Sequence, residues 1–218
     1  KVVYIMTDGG ALPLKFSRLV YQLSRAGLVD ATITIGHAFG GDLEAVNIYS
    51  GLIGAYQIEK ADIIIVTMGP GIVGTGTKYG FSGTEQVGLV RAVRVLGGEP
   101  IVIPRISFSD PRDRHHGLSH HSCTVLGELI PGPTTVGLPL LAPDKQRFLT
   151  QQLEEYKIPE KHNLIYRSGH QIPAKLKEAP FEVTTMGRSP KEAPVYFRTA
   201  GIAGSIAVER KKGDGINE

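Results

Sequence analysis

The densest chemistry in this 218-residue sequence lies between Asp110 and His121, where Asp110, Arg112, Asp113, Arg114, His115, His116, His120 and His121 fall within twelve residues. Imidazole is the one side chain whose ordinary pKa lies near neutrality, so a histidine cluster is suited to moving protons. Guanidinium groups hold carboxylate and phosphate through paired hydrogen bonds. His116 and His120 are spaced i, i+4 with two carboxylates close by, a pattern that can build a divalent metal site, with His120, His121 and Asp110 as its ligands. There is no H-E-x-x-H, and Gly117 interrupts any helix through both histidine pairs. With Ser119 as an N-cap, His120 and His121 occupy a first helical turn, where the helix dipole lowers an imidazole pKa and favours its neutral form. A neutral imidazole can ligate metal, accept a proton or donate to a substrate oxygen. His115, His120 and His121 are therefore candidate acid/base residues, and Arg105, Arg112 and Arg114 are candidate anion ligands. The plainer alternative is a solvated polar loop with capping and surface histidines.

Other segments carry weaker signals. Asp8, in the run Thr7-Asp8-Gly9-Gly10, ends a first strand, where a general base or metal anchor is common. His37 directly follows a second strand and is weighed as a catalytic residue against a satisfied buried histidine. Gly9, Gly10, Gly40, Gly41 and Asp42 are candidate ligand contacts, although Asp42 is explained equally well as a helix N-cap and Glu44 as a first-turn acid. Gly69-Pro70-Gly71-Ile72-Val73-Gly74 matches G-x-G-x-x-G after a strand. Its helix starts about ten residues too late for a dinucleotide fingerprint, and the next strand runs into Arg105 instead of an acid, so neither NAD nor FAD is expected. The same loop misses a P-loop because Thr77 stands where lysine is required. What survives is an amide-rich loop in which Gly69, Gly71, Gly74, Thr75, Gly76 and Thr77 can cradle an anion, against a crossover loop that merely needs positive φ. Cys123 reads as a small core residue, and no G-x-S-x-G elbow is present.

These residues are spaced by a repeated strand, loop, helix pattern. Strands are predicted at Val2–Met6, Thr32–Ile35, Asp62–Thr67, Ile101–Arg105, Thr135–Pro139, Asn163–Tyr166 and Phe181–Thr185. Helical spacing joins Phe16, Leu19, Val20 and Leu23, and again Val46, Tyr49, Ile53 and Tyr56 behind an Asp42 cap. Ser82 and Glu85 form an S-x-x-E box opening a helix to about Leu96. Further helices run from about His120 to Ile130 and from Pro143, and a last one restarts at Pro194 with small residues for close packing. This predicts an α/β fold: one three-layer, mostly parallel Rossmann-like sheet with helices on both faces, in a single domain over 1–218 whose terminal helix and flexible tail occupy 190–218. Six of the seven histidines fall on loops assigned to the carboxyl edge of that sheet, where such folds bind ligands.

Composition excludes several classes. A net charge of +3 without a Lys/Arg stripe argues against nucleic acid. The lone cysteine excludes an intrachain disulfide and fits a reducing, cytoplasmic setting. No apolar run reaches the ~18 residues that span a bilayer. A homodimer is the expected assembly, since closed twofold oligomers are the commonest. The chain opens at Lys1 already inside a strand, as a C-terminal part of a longer protein would.

The strings VVYIMTDGGALP, GHAFGGDLEAVNIYSGL, TMGPGIVGTGT, GFSG and RISFSDPRDRHHGLSHH resemble, in order, a bacterial family known as the domain of unknown function DUF3866. The resemblance spans Lys1 to about Leu141 and implies one coherent domain type preceded by a further segment. It implies no activity. Where the family has a basic residue this chain has His116, which weighs against a metal role for His116. The residues themselves point to an enzyme for a small phosphate- or carboxylate-bearing metabolite, a metal-assisted or acid/base hydrolase or transferase. The alternative is a ligand-sensing module using the same crevice.

Overall fold

A computed structural model describes residues 1–69 and 71–214. Pro70 of the G-x-G-x-x-G run and the end of the expected tail, 215–218, lie outside the described residues. The chain divides into two compact units, Lys1–Gly98 and Glu99–Glu218. It is an α/β protein with mostly parallel sheets.

The first unit is built on β1 (Val2–Thr7), α1 (Arg18–Arg25), β2 (Ala31–Ile35), β3 (Leu43–Ala45), α2 (Ile48–Ile53), β4 (Ile63–Met68) and α3 (Gln86–Val95). Its sheet has the order β3-β2-β1-β4, all parallel, with Ile5 level with Ile33 and Val66. Alternation along β1 sends side chains to both faces. Val3 and Ile5 join Ile33, Ile35, Leu52, Ala55 and Ala92 on one side, and Met6 joins Leu14, Val20 and Ala38 on the other. The central strand β1 is therefore covered on both faces, whereas β4, whose uninterrupted apolar run predicts the same, ends the strand order and leaves Ile65 41% exposed.

The stripe Val46, Tyr49, Ile53 and Tyr56 faces outward, with Val46 83% and Tyr56 69% exposed, while Gly51, Leu52 and Ala55 face the sheet. A Cβ on Gly51 would stand 2.9 Å from Ile35 Cγ2, so the helix seats through its small residues. Asp42 does not cap α2; Asn47 does, accepting from Ser50 N at 3.1 Å. Asp42 instead accepts from Thr32 N and Oγ1, both at 2.8 Å, and pins the unpredicted edge strand β3 beside β2. Only seven residues, 36–42, join these parallel strands, fewer than a helical crossover needs.

The second unit contains β5 (Ile101–Val102), β6 (Ile106–Ser107), β7 (Gly117–Leu118), α4 (His120–Thr124), β8 (Thr135–Pro139), α5 (Pro143–Glu155), α6 (Ile158–Lys161), β9 (Asn163–Arg167), α7 (Ile172–Lys177) and α8 (Pro194–Asp214). β5, β8 and β9 form a parallel sheet in that order, and β6 and β7 a small antiparallel pair. The described strands thus form three sheets where one was expected. The predicted strand Phe181–Thr185 is absent among the described residues; only Thr185 makes an isolated bridge, to Arg188.

Every residue of β8 is buried, and the largest enclosed side chains of this unit include Leu138, Leu149, Leu153, Ile158, Ile202 and Ile206. A Cβ at Gly137 would meet Ile202 Cγ2 at 2.9 Å, so α8 lies close against β8 there. Gly201 likewise admits Ile172, as the small residues of that helix predict. No helix of the described residues is long and apolar enough to cross a membrane.

Candidate functional site

In the first unit, Asp8 follows β1 and His37 follows β2. The Asp8 carboxylate accepts from His37 N and Ala11 N, both at 2.9 Å. These two amide bonds lead the causes that hold its pKa below the ordinary carboxylate value. Asp8 therefore ties together the loops after β1 and β2. Gly36 makes the approach possible: its φ is +69°, and a Cβ would stand 2.9 Å from Asp8 Cβ. The His37 side chain is exposed.

Beside them Thr7 Oγ1 donates to Glu85 Oε1 at 2.6 Å. Burial raises the Glu85 pKa, with the Asp8 charge adding to the rise and the Thr7 hydrogen bond opposing it. Glu85 and Ser82 do not form the expected capping box; Ser82 Oγ accepts from Val73 N at 3.0 Å. Thr7, Asp8, Asn47, Glu85 and Arg91 border an open cavity of about 510 Å³.

The glycine loops place many of their amides on their own chain. Gly9 N donates to Thr7 O, Gly71 N to Met68 O and Thr75 N to Gly80 O. Gly40 N donates to Glu44 Oε1, Gly41 N to Thr34 Oγ1 and Asp42 N to Thr32 Oγ1. An Asp8 hydrogen bond engages Gly10. Gly74 bridges Phe81, and the Thr75 and Thr77 hydroxyls lie 3.0 Å apart. Gly71 and Gly76 adopt positive φ, +82° and +83°, and Gly69 fits against Met6, where a Cβ would strike the thioether.

The second unit brings the histidines and arginines together. Arg105 follows β5, and its Nη2 donates to Asp110 Oδ2 at 2.8 Å. Arg112 binds the same carboxylate through N, Nε and Nη2 at 3.1, 2.9 and 2.9 Å. Asp110 is fully buried and held well below the usual carboxylate range, chiefly by the Arg112 hydrogen bonds. This clamp fixes the loop from which His115 enters the core. His115 Nδ1 lies 2.7 Å from Ser119 Oγ, so Ser119 stands at the expected N-cap position but pairs with an imidazole.

The rings of His115 and His120 lie 5.1 Å apart by centroid, those of His115 and His121 5.5 Å, and those of His120 and His121 4.0 Å. Burial, followed by the charges of Arg112 and Arg105, lowers His115 to about 4. His121 is lowered to about 4 by burial, then by His120, Arg114, Arg105 and Arg112. Burial, Arg114 and Arg112 lower His120 too. The lowering favours the neutral form of all three rings at pH 7. His120 Nε2 is buried and has no hydrogen-bond partner. His116 stands apart in role, edge-on to Phe108 and Phe148.

The proposed metal set does not fit this arrangement. Both Asp110 oxygens are taken by arginine donors, and among the described residues no three His, Cys, Asp or Glu side chains are placed to hold a metal ion. Buried Cys123, raised to about 12 chiefly by burial, stays a thiol. His162 is also internal, with Nδ1 3.3 Å from Thr134 N and Nε2 2.8 Å from Leu126 O.

The sequence model of a family described as "Protein of unknown function (DUF3866)" matches residues 1–204. The chain belongs to the DUF3866 family. No curated protein and no solved structure matches it. In this DUF3866 protein, sequence reasoning passed over three site residues: Glu85, read as a capping acid; Ser119, read as a cap alone; and Arg198. The signal for Arg198 is present, since it is the single charged residue between Pro194 and Val208.

Proposed function

We propose that this protein is an enzyme acting on a small phosphate- or carboxylate-bearing metabolite, with His115, His120 and His121 as its acid/base group. The observation that carries the reading is His120 Nε2, a buried nitrogen without a partner beside two other neutral imidazoles. A buried polar atom left unpaired costs about 1–3 kcal/mol unless something binds it. Arg105, Arg112 and Arg114 impose the positive field that, with burial, keeps the rings neutral. An arriving anion offsets that field and raises the proton affinity of the rings. They then become better matched to general acid/base work near neutrality. Arg114 and the exposed edge of Arg112 supply contacts for the anion, while Asp110 holds Arg105 and Arg112 in place.

The test is a ligand-observed NMR screen of phosphorylated and carboxylated metabolites, with any binder then followed for conversion. Wild type should convert a binder, and His120→Ala should lose turnover while keeping affinity within a few fold. A ligand that binds tightly and is never converted contradicts the enzyme reading.

A further inference from the structure

Arg198, in the second turn of α8, is only 7% exposed. Its Nε donates to Ser168 O at 2.9 Å, and its Nη2 donates to Leu140 O at 2.6 Å and also to Ser168 O. Leu140 directly follows β8, and Ser168 directly follows β9. The guanidinium therefore sits across the carboxyl ends of two neighbouring parallel strands. None of the ion pairs among the described residues involves it, and the first turn of α8 carries no acid. Burial alone lowers its pKa; no carboxylate acts on it.

A buried cation without a counter-charge is costly, since carbonyl dipoles replace only part of its hydration. Arginine nevertheless stays protonated. Nε and Nη2 are fixed on carbonyls, and Nη1 has no protein partner yet is not a buried orphan atom, so it opens to solvent. This is a pre-oriented donor at the sheet edge where open α/β folds bind ligands.

We infer that Arg198 anchors an anionic group, a phosphate or a carboxylate, at the carboxyl ends of β8 and β9. The inference rests on the reading that the ligand is an anion and deepens it with a binding residue; it does not depend on the histidine cluster. Nη1 supplies a charge-assisted hydrogen bond, and the anion supplies the missing counter-charge. Ser168, Gly169 and His170 form the loop next to it.

Hydrogen exchange by mass spectrometry on the whole chain tests this, comparing potassium phosphate or potassium acetate with potassium chloride at matched ionic strength. Phosphate or acetate, raised to about ten times its dissociation constant, should slow exchange in the peptides covering 138–142 and 166–171 by roughly tenfold. Whichever anion acts identifies the group. The slowing should persist in His120→Ala, shrink in Arg198→Lys and vanish in Arg198→Met. Absence of slowing in wild type overturns the inference and needs no variant to fold. Full slowing in Arg198→Lys or Arg198→Met overturns it as well. Slowing confined to 110–121 would remove Arg198 from the site while leaving the anionic ligand standing.

Discussion

Ser119 Oγ lies 2.7 Å from His115 Nδ1, and both side chains are buried. The pair joins two roles. Ser119 stands at the N-cap of α4, yet its hydroxyl fixes the ring orientation of the most enclosed histidine in the cluster. Removing the hydroxyl leaves an imidazole nitrogen buried and unpaired. Ser119→Ala should therefore lower stability by about 1–2 kcal/mol, read as a shift of the urea midpoint at constant slope. An unchanged midpoint would mean that the bond contributes nothing.

Acid should destabilise the protein through the same ring. His115 titrates at about 4 in the folded chain, against about 6.5 unfolded. Between those values the unfolded state binds more protons, so stability rises with pH and is lost as pH falls from about 6.5 towards 4. For a residue this buried the full effect is of order 3 kcal/mol. His115→Gln should flatten the stability profile in that window relative to wild type. Parallel profiles for the two proteins would contradict the assignment.

In the first unit, Thr7 holds Glu85 by a 2.6 Å hydrogen bond that lowers a pKa which burial raises. Thr7→Val should push the Glu85 pKa further up, as followed by carboxyl ¹³C NMR. Glu85 would then stay protonated to higher pH beside an ionised Asp8. A fall in the Glu85 pKa would show that Thr7 favours the protonated form instead.

Much of the fold is legible in the sequence because apolar runs bounded by glycine leave few alternatives. Five predicted strands and the starts of α5 and α8 fall within one or two residues of their places, including the restart at Pro194. Helix orientation is another matter. Periodicity identifies the Val46, Tyr49, Ile53, Tyr56 stripe but not which face meets the sheet. Here close approach at Gly51 decides it. Capping acids mislead for a related reason: Asp42 and Glu85 have the right spacing for caps, and tertiary donors on Thr32 and Thr7 take them. The histidine cluster is visible because its members are adjacent in sequence. Arg198 shows in the sequence only as a lone charge in an apolar helix, and its role does not, since its partners Leu140 and Ser168 lie 58 and 30 residues away.

In the proposed function an anion and the histidine cluster share one electrostatic balance. Titrating ¹⁵N-histidine-labelled protein with and without inorganic phosphate, at matched ionic strength, tests it most directly. His115, His120 and His121 should take up protons at higher pH when phosphate is present, because the bound charge offsets Arg105, Arg112 and Arg114. Superimposable titration curves for all three rings would mean that no anion acts on the cluster.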